Sequence, residues 1–202
     1  MTPLTQLSAE CAPMVAPSTI AAIVRVESGG HPLEMWNNTT RSMVGSANLA
    51  QAVQYLRRAM AAGQQVDVGL AQVDTENFAS LGLTARTVFN ACTNLRAGAT
   101  ILHADWEQAR ANGYHGQQAL YHAFEAYNSG RLWGDAQYAN KILGAAGAHA
   151  PVEYGGFRYA SEAKSGSEAP GATLTQFRWQ AKPAPATTPA PSFVAGSWLV
   201  FP

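Results

Sequence analysis

The stretch IAAIVRVESGG, residues 20–30, decides how the first part of the chain folds. Ile20, Ile23 and Val24 are spaced i, i+3 and i+4, which predicts the apolar face of a helix. The next position on that face is Glu27, and two glycines that stop the helix follow almost at once. The sequence therefore places an ionisable carboxyl group at the end of a buried helix face.

Helical periodicity continues through most of residues 1–144. The longest segment, NLRAGATILHADWEQARANG, repeats apolar side chains about every 3.5 residues and predicts a central packed helix. Residues 29–45 are interpreted as loop because they are rich in Gly, Pro, Asn and Thr. Ser46 is the predicted cap of the next helix, and residues 132–143 are predicted to form the last one. No segment here alternates apolar and polar residues as a half-buried strand does, so the prediction is an all-α domain.

The composition changes from residue 145 onward. Residues 145–202 are rich in Ala, Gly and Pro, and they include the Pro-Ala segment AKPAPATTPAPS before an apolar end, FVAGSWLVFP. Such a composition predicts a flexible tail, either without a fold of its own or ordered by docking on a partner.

Charge and hydropathy exclude several classes of partner. The chain has 13 basic and 13 acidic residues, with no basic run that would favour nucleic acid or an anionic membrane. No apolar run approaches the roughly 18 residues that a membrane span requires. The first residues, MTPLTQLSAE, lack the basic and apolar regions of a signal peptide. A surface rich in amides and hydroxyls is suited to an uncharged polar ligand such as a sugar.

Two cysteines, Cys11 and Cys92, are too far apart in sequence for a CxxC motif. From their spacing alone, two separate buried thiols and one long-range disulfide both remain open. The five histidines show no metal-ligand spacing, so neither a metal nor a cofactor is expected.

Glu27 is the first candidate functional residue. Burial on an apolar face disfavours its ionised form and raises its pKa. The last turn of a helix carries partial negative charge, which acts in the same direction. Both effects favour a carboxyl group that keeps its proton near neutral pH, as a general acid for glycosidic cleavage must. The alternative is a glutamate that turns to solvent or pairs with an arginine.

Two further motifs each allow a plain structural interpretation when taken alone. In DVGLAQVD, residues 67–74, Gly69, Leu70 and Gln72 could place backbone N–H groups and an amide beside a ligand. In AYNSG, residues 126–130, Tyr127 and Asn128 precede a helix-stopping glycine and could equally be a core tyrosine and a helix cap.

In this order, ES, GLAQ and AYN resemble the motif set of the soluble lytic transglycosylases, relatives of goose-type lysozyme that cut the glycan strand of peptidoglycan. The resemblance is closer to the transglycosylases that accompany bacterial type IV secretion and conjugation systems. It covers about residues 9–143 and extends to ACTNLRAGATIL and YANKI. It implies a lysozyme-like, all-α fold for residues 1–144.

The resemblance also implies a role for each matching residue. Glu27 would be the single acid/base, first protonating the glycosidic oxygen and then taking the proton of the muramoyl 6-hydroxyl as that oxygen closes on C1. Asp67 and Glu125 would orient the loop and the helix. The expected substrate-binding residues are Ser28, Gly69, Leu70, Gln72, Tyr127, Asn128 and Tyr138.

Because such enzymes act in the periplasm, the resemblance favours a Cys11–Cys92 disulfide and a periplasmic location. It implies peptidoglycan glycan strands as substrate, and secretion-system components as candidate partners of the tail. Two alternatives remain: a goose-type hydrolase on the same fold, and a non-catalytic peptidoglycan-binding assembly factor. Glu27, Gln72, Tyr127 and Asn128 occurring together argue against the second.

Overall fold

The computed structural model describes residues 4–147, and these are mostly helical. The tail predicted over residues 145–202 therefore lies almost wholly outside the described residues. The prediction of an all-α domain is confirmed in the dominance of helices. In chain order the helices are α1 Leu4–Cys11, α2 Pro17–Glu27, α3 Leu49–Ala61, α4 Phe78–Leu81, α5 Ala91–Ala111, α6 Gly116–Ser129 and α7 Ala136–Ala145.

A small antiparallel sheet was not predicted from the sequence. Its strands run in the order β2-β1-β3-β4. They are β1 Met35–Asn37, β2 Ser42–Met43, β3 Val66–Val68 and β4 Val73–Asp74. Two or three residues are too few to show the alternation by which a strand is recognised in a sequence. The expectation that residues 29–45 are loop throughout is corrected accordingly.

Two predicted helix starts also differ from the structure. Helix α3 begins at Leu49 rather than after Ser46, because the side chain of Asn48 accepts the Gln51 N–H at 3.0 Å and caps the helix. Helix α7 begins at Ala136 rather than at residue 132, and Asp135 caps it. In both cases a capping side chain that the sequence analysis overlooked sets the boundary.

The core forms around α5, which packs along α6 and also contacts α1. Helix α2 packs between α1 and α7, so the end of α2 lies against the last helix of the domain. The apolar face predicted for α2 is fully buried, including Ile20, Ile23 and Val24. Phe124 of α6 is the largest side chain without exposed surface.

A disulfide joins the end of α1 to the first turn of α5. Cys11 and Cys92 have Cα atoms 4.9 Å apart and are separated by 81 positions in the sequence. The long-range pairing is therefore confirmed over the interpretation as two separate thiols.

Replacing both cysteines by alanine should lower the free energy of unfolding by about 4 kcal/mol, because the unfolded chain regains the entropy of a long open loop. Urea unfolding of the oxidised protein and the double variant measures this difference. The wild type in a thiol reductant is the control and should match the variant. Equal free energies for the oxidised protein and the variant would contradict the prediction.

Candidate active site

Glu27 is the last residue of α2, and it is only partly exposed. Its Oε1 accepts a hydrogen bond from the hydroxyl of Tyr138, on α7. Burial raises the pKa of Glu27 to about 7, while the Tyr138 hydrogen bond and the charge of Lys141 act in the opposite direction. The result is a carboxyl group that keeps its proton to a higher pH than an exposed glutamate does.

The loop of residues 69–72 lies beside the end of α2 and is tied to it. The hydroxyl of Ser28, the residue after Glu27, donates to the carbonyl of Leu70 at 2.8 Å. From α6, the hydroxyl of Tyr127 donates to the carbonyl of Ala71 at 2.7 Å. The three predicted motifs, ES, GLAQ and AYN, therefore meet through side-chain hydrogen bonds to the backbone of this loop.

The backbone of this loop is unusual at two residues. Gly69 has φ +82°, and a Cβ added there would lie 2.5 Å from Nδ2 of Asn94, so only glycine fits. Gln72 has φ +45°, which is uncommon for a residue other than glycine. Its buried side chain supports this conformation by donating from Nε2 to the carbonyls of Gly69 at 2.8 Å and of Glu34 at 3.2 Å. Such backbone strain at a buried polar residue is typical of functional sites.

Asn94 and Gly98 of α5 are support residues that the sequence analysis missed. Asn94 accepts the N–H of Ala71 at 2.7 Å and donates to the carbonyl of Val68 at 2.8 Å, so one buried amide holds both sides of the loop. A Cβ at Gly98 would lie 2.9 Å from the Tyr127 hydroxyl oxygen, so glycine there allows the close approach of α5. The sequence did contain one signal for Asn94: it is a polar residue on the buried face of the predicted central helix.

Asn128 serves α7 instead of contacting Glu27. Its Nδ2 donates to Oδ2 of Asp135, whose other carboxylate oxygen accepts the N–H of Tyr138 at 3.3 Å. Asn128 was expected to hold a sugar N-acetyl group; one N–H of its Nδ2 is engaged by Asp135, which leaves the second N–H and the carbonyl oxygen for a ligand. Through Asp135 it positions the helix that carries the partner of Glu27.

Glu125 has no exposed surface and also holds the turn at Asp135, just before α7. Its Oε1 accepts the Asp135 N–H at 3.1 Å, and its Oε2 lies 2.7 Å from Nδ1 of His122. The same nitrogen lies 2.6 Å from the carbonyl of Leu132. Glu125 is thus enclosed by hydrogen-bond partners and has no access to a ligand.

Asp67 and Asp74 are paired neighbours on β3 and β4, and both are buried. The amide of Asn38 donates to Asp67 at 2.7 Å and to Asp74 at 3.2 Å. Burial raises the pKa of both carboxyl groups, and the negative charge of Asp74 raises the pKa of Asp67 further. The pair lies across the β3–β4 pairing, and its burial keeps both carboxyl groups away from a substrate.

The structure thus brings Ser28, Leu70, Tyr127 and Tyr138 together around the end of α2. Gly69 and Gln72 shape the adjoining loop. Within residues 4–147 there is no group of three or more His, Cys, Asp or Glu side chains arranged to hold a metal. None of the helices in that range is long and apolar enough to cross a membrane.

Comparisons with known proteins identify the family of this chain. Residues 5–141 match the family model of the transglycosylase SLT domain. Protein virB1 of Agrobacterium fabrum (strain C58 / ATCC 33970) is 42% identical over 122 residues, which are 60% of this chain and 49% of the relative. Type IV secretion system protein virB1 of Brucella abortus biovar 1 (strain 9-941) is 33% identical over 155 residues, 72% of this chain and 65% of the relative.

The chain spans about half the length of the Agrobacterium relative and about two thirds of the Brucella one. No solved structure matches it. The family model covers more than half of the chain, and the matched range contains the disulfide, Glu27, the 69–72 loop and Tyr138. The chain therefore belongs to the transglycosylase SLT domain family.

Proposed function

We propose that this protein is a peptidoglycan lytic transglycosylase that cleaves the β-1,4 bond between N-acetylmuramic acid and N-acetylglucosamine. Glu27 acts first as an acid and gives its proton to the glycosidic oxygen, so that N-acetylglucosamine leaves. As a carboxylate it then takes the proton of the muramoyl 6-hydroxyl, and that oxygen forms a bond to C1. The product carries a 1,6-anhydromuramoyl end, and no water is consumed.

The observation that carries the proposal is the raised pKa of Glu27 together with its hydrogen bond from Tyr138. An acid that gives a proton and later takes one back works best with a pKa near the working pH. The pKa of Glu27, about 7, meets this requirement, and its Oε1 is held in place by Tyr138. The sheet carboxyls Asp67 and Asp74 are buried and bound to each other, so neither is free to activate water as a second carboxylate of a hydrolase does.

The other motif residues belong to the same proposal as substrate-binding or supporting residues. Ser28, Tyr127 and Gln72 keep the 69–72 loop beside Glu27, so that its backbone can border the sugar. Tyr138 and Asn128 steady the acid, the first directly and the second through Asp135. Gly69 and Leu70 supply the backbone of the loop.

The biological setting is proposed from the named relatives. Two relatives carry the virB1 name, and the Brucella one is named as a type IV secretion system protein. We assign this chain a similar task, local opening of the cell wall for a type IV secretion or conjugation apparatus. The periplasm is the matching compartment, and the Cys11–Cys92 disulfide is consistent with an oxidising one. Secretion-system components are proposed partners of the C-terminal tail.

Product analysis of digested cell walls tests the reaction. Mass spectrometry of the wild-type digest should show anhydromuramoyl ends, and Glu27→Gln should release no product because an amide cannot donate the required proton. Reducing ends in the wild-type digest would instead indicate a goose-type hydrolase. Binding of cell walls without any cleavage by the wild type would indicate a non-catalytic assembly factor.

The raised pKa of Glu27 predicts how stability depends on pH. Between pH 4.5 and 7 the unfolded chain releases the Glu27 proton while the folded protein keeps it, so wild-type stability falls as the pH rises through this interval. Glu27→Gln has no such proton. The difference between the melting temperatures of Glu27→Gln and wild type, measured by calorimetry, should therefore grow in favour of the variant as the pH rises from below 4.5 to above 7.

Glu10→Gln is the matched control, because it removes one exposed carboxylate from α1. It corrects for the general effect of losing a negative charge. A melting-temperature difference between Glu27→Gln and wild type that does not vary with pH, once this correction is made, would contradict the raised pKa.

We propose residues 1–144 as the catalytic domain and residues 145–202 as a separate tail. The family match ends at residue 141, before the tail begins. Deleting residues 180–202 should accordingly leave the rate of cell-wall cleavage unchanged, as measured by loss of turbidity. A large loss of rate with an unchanged melting temperature would show that the tail contributes to the active site.

A further inference from the structure

A cavity of about 520 Å³ lies against α3, and none of its described lining residues belongs to the candidate active site. Its volume is within the range of small-ligand pockets. One wall is the polar face of α3, and Gln64 and the residues before α3 complete it. The polar side chains that line it are Ser46, Gln51, Gln54, Tyr55, Arg58 and Gln64.

Asn37 of β1 orients two of these side chains. Its Oδ1 accepts the N–H of Thr40 at 2.9 Å, and a backbone N–H can only donate, so the other atom of the amide is the donor. That Nδ2 donates to the hydroxyl oxygen of Tyr55 at 2.7 Å and to Oε1 of Gln64 at 2.9 Å. Tyr55 therefore keeps its hydroxyl hydrogen, and Gln64 keeps its amide N–H groups, for another partner.

Gln51 is oriented in the same way. Its Oε1 accepts the N–H of Ala47 at 3.0 Å, which leaves its Nε2 as a donor. Arg58 is exposed, and its guanidinium has no ion pair or hydrogen bond with other residues in the part of the chain that the structure describes. Among the described residues that line the cavity, it is the only charged one.

The cavity offers oriented donors from Gln51, Tyr55 and Gln64 together with the positive charge of Arg58, while Ser46 and Gln54 can both donate and accept. Hydrogen bonding alone therefore admits uncharged as well as anionic ligands. A carboxylate only accepts, and guanidinium and amide N–H groups suit it in both charge and geometry. The charge of Arg58 therefore favours an organic anion.

The cavity lies close to the candidate active site along the sheet. Asn37 pairs with Val66 on β3, and Val68, two positions further, leads directly into Gly69 of the active-site loop. Two strand positions span about 7 Å. An extended peptide of three or four residues reaches about 10–14 Å, which is longer than this stretch of β3.

We propose that this cavity binds a carboxylate of the peptide stem that peptidoglycan carries on its muramoyl residues. The proposal rests on the proposed function for the identity of the polymer, and it adds a subsite for the peptide to the site for the glycan. A muramoyl residue beside the 69–72 loop then directs its acidic stem along the sheet to Arg58, Gln51, Tyr55 and Gln64.

Cleavage of two substrates tests the subsite: intact glycan strands with their stem peptides, and the same strands after an amidase has removed the peptides. Wild-type kcat/KM should be about tenfold higher on intact strands, the scale of one charge-assisted hydrogen bond. Arg58→Gln should bring this ratio to about one through a higher KM, while its rate on peptide-free strands stays at the wild-type value.

Two further variants make the test specific. Arg57→Gln removes the neighbouring exposed cation, which does not line the cavity, and should keep the wild-type ratio. Gln51→Glu keeps an oxygen for the Ala47 N–H but replaces the donor by a second oxygen, and should lower the ratio as Arg58→Gln does. A wild-type ratio of one, or equal effects of Arg57→Gln and Arg58→Gln, would overturn the proposal.

Direct binding separates this proposal from the proposed function. The free stem tripeptide alanyl-γ-glutamyl-diaminopimelate, titrated into the ¹⁵N-labelled full chain, should shift the side-chain resonances of Gln51, Gln64 and Arg58. The same tripeptide with its carboxylates amidated should not. Binding without any glycan cleavage would leave the subsite intact and reject the reaction, whereas cleavage with no tripeptide shifts would reject the subsite alone.

Discussion

The close attachment of the 69–72 loop to three helices is the constraint on which the site depends. Ser28 holds it to the end of α2, Asn94 to α5 and Tyr127 to α6, in each case through a side-chain hydrogen bond to loop backbone. The loop follows β3 directly, so the sheet and the helices are joined at this point. Without these bonds, the carbonyls of Leu70 and Ala71 and the N–H of Ala71 would lose these partners beside Glu27.

The chemistry of Glu27 follows from a balance between burial and a few polar contacts. Burial alone raises the pKa of the carboxyl group, and a strongly raised pKa would make its carboxylate form too costly for the second half of the reaction. Tyr138 and Lys141 favour the ionised form and bring the pKa back to about 7. Asp135 and Asn128 matter because they hold the helix that carries Tyr138.

Sequence patterns predicted the helices better than the small sheet and the helix caps, and the disulfide was favoured only by the family resemblance. Ile20, Ile23 and Val24 repeat with a clear period, whereas β2 and β4 have two residues each and show none. Glu27 was recognisable because a carboxyl group interrupts an apolar face. The supporting roles of Asn94 and Asp135 could not be recognised in this way. An asparagine in a helix or an aspartate in a turn is common, and these two support the site only through contacts with residues distant in sequence.

In the proposed reaction, Glu27 closes the muramoyl 6-hydroxyl onto C1 without water. Digestion of cell walls in H₂¹⁸O, followed by measurement of the isotope content of the new muramoyl ends, distinguishes this reaction from hydrolysis. The new ends should contain no ¹⁸O, because the oxygen bonded to C1 comes from the sugar itself. One ¹⁸O atom at each new end would show that water is the nucleophile and would reject the transglycosylase reaction.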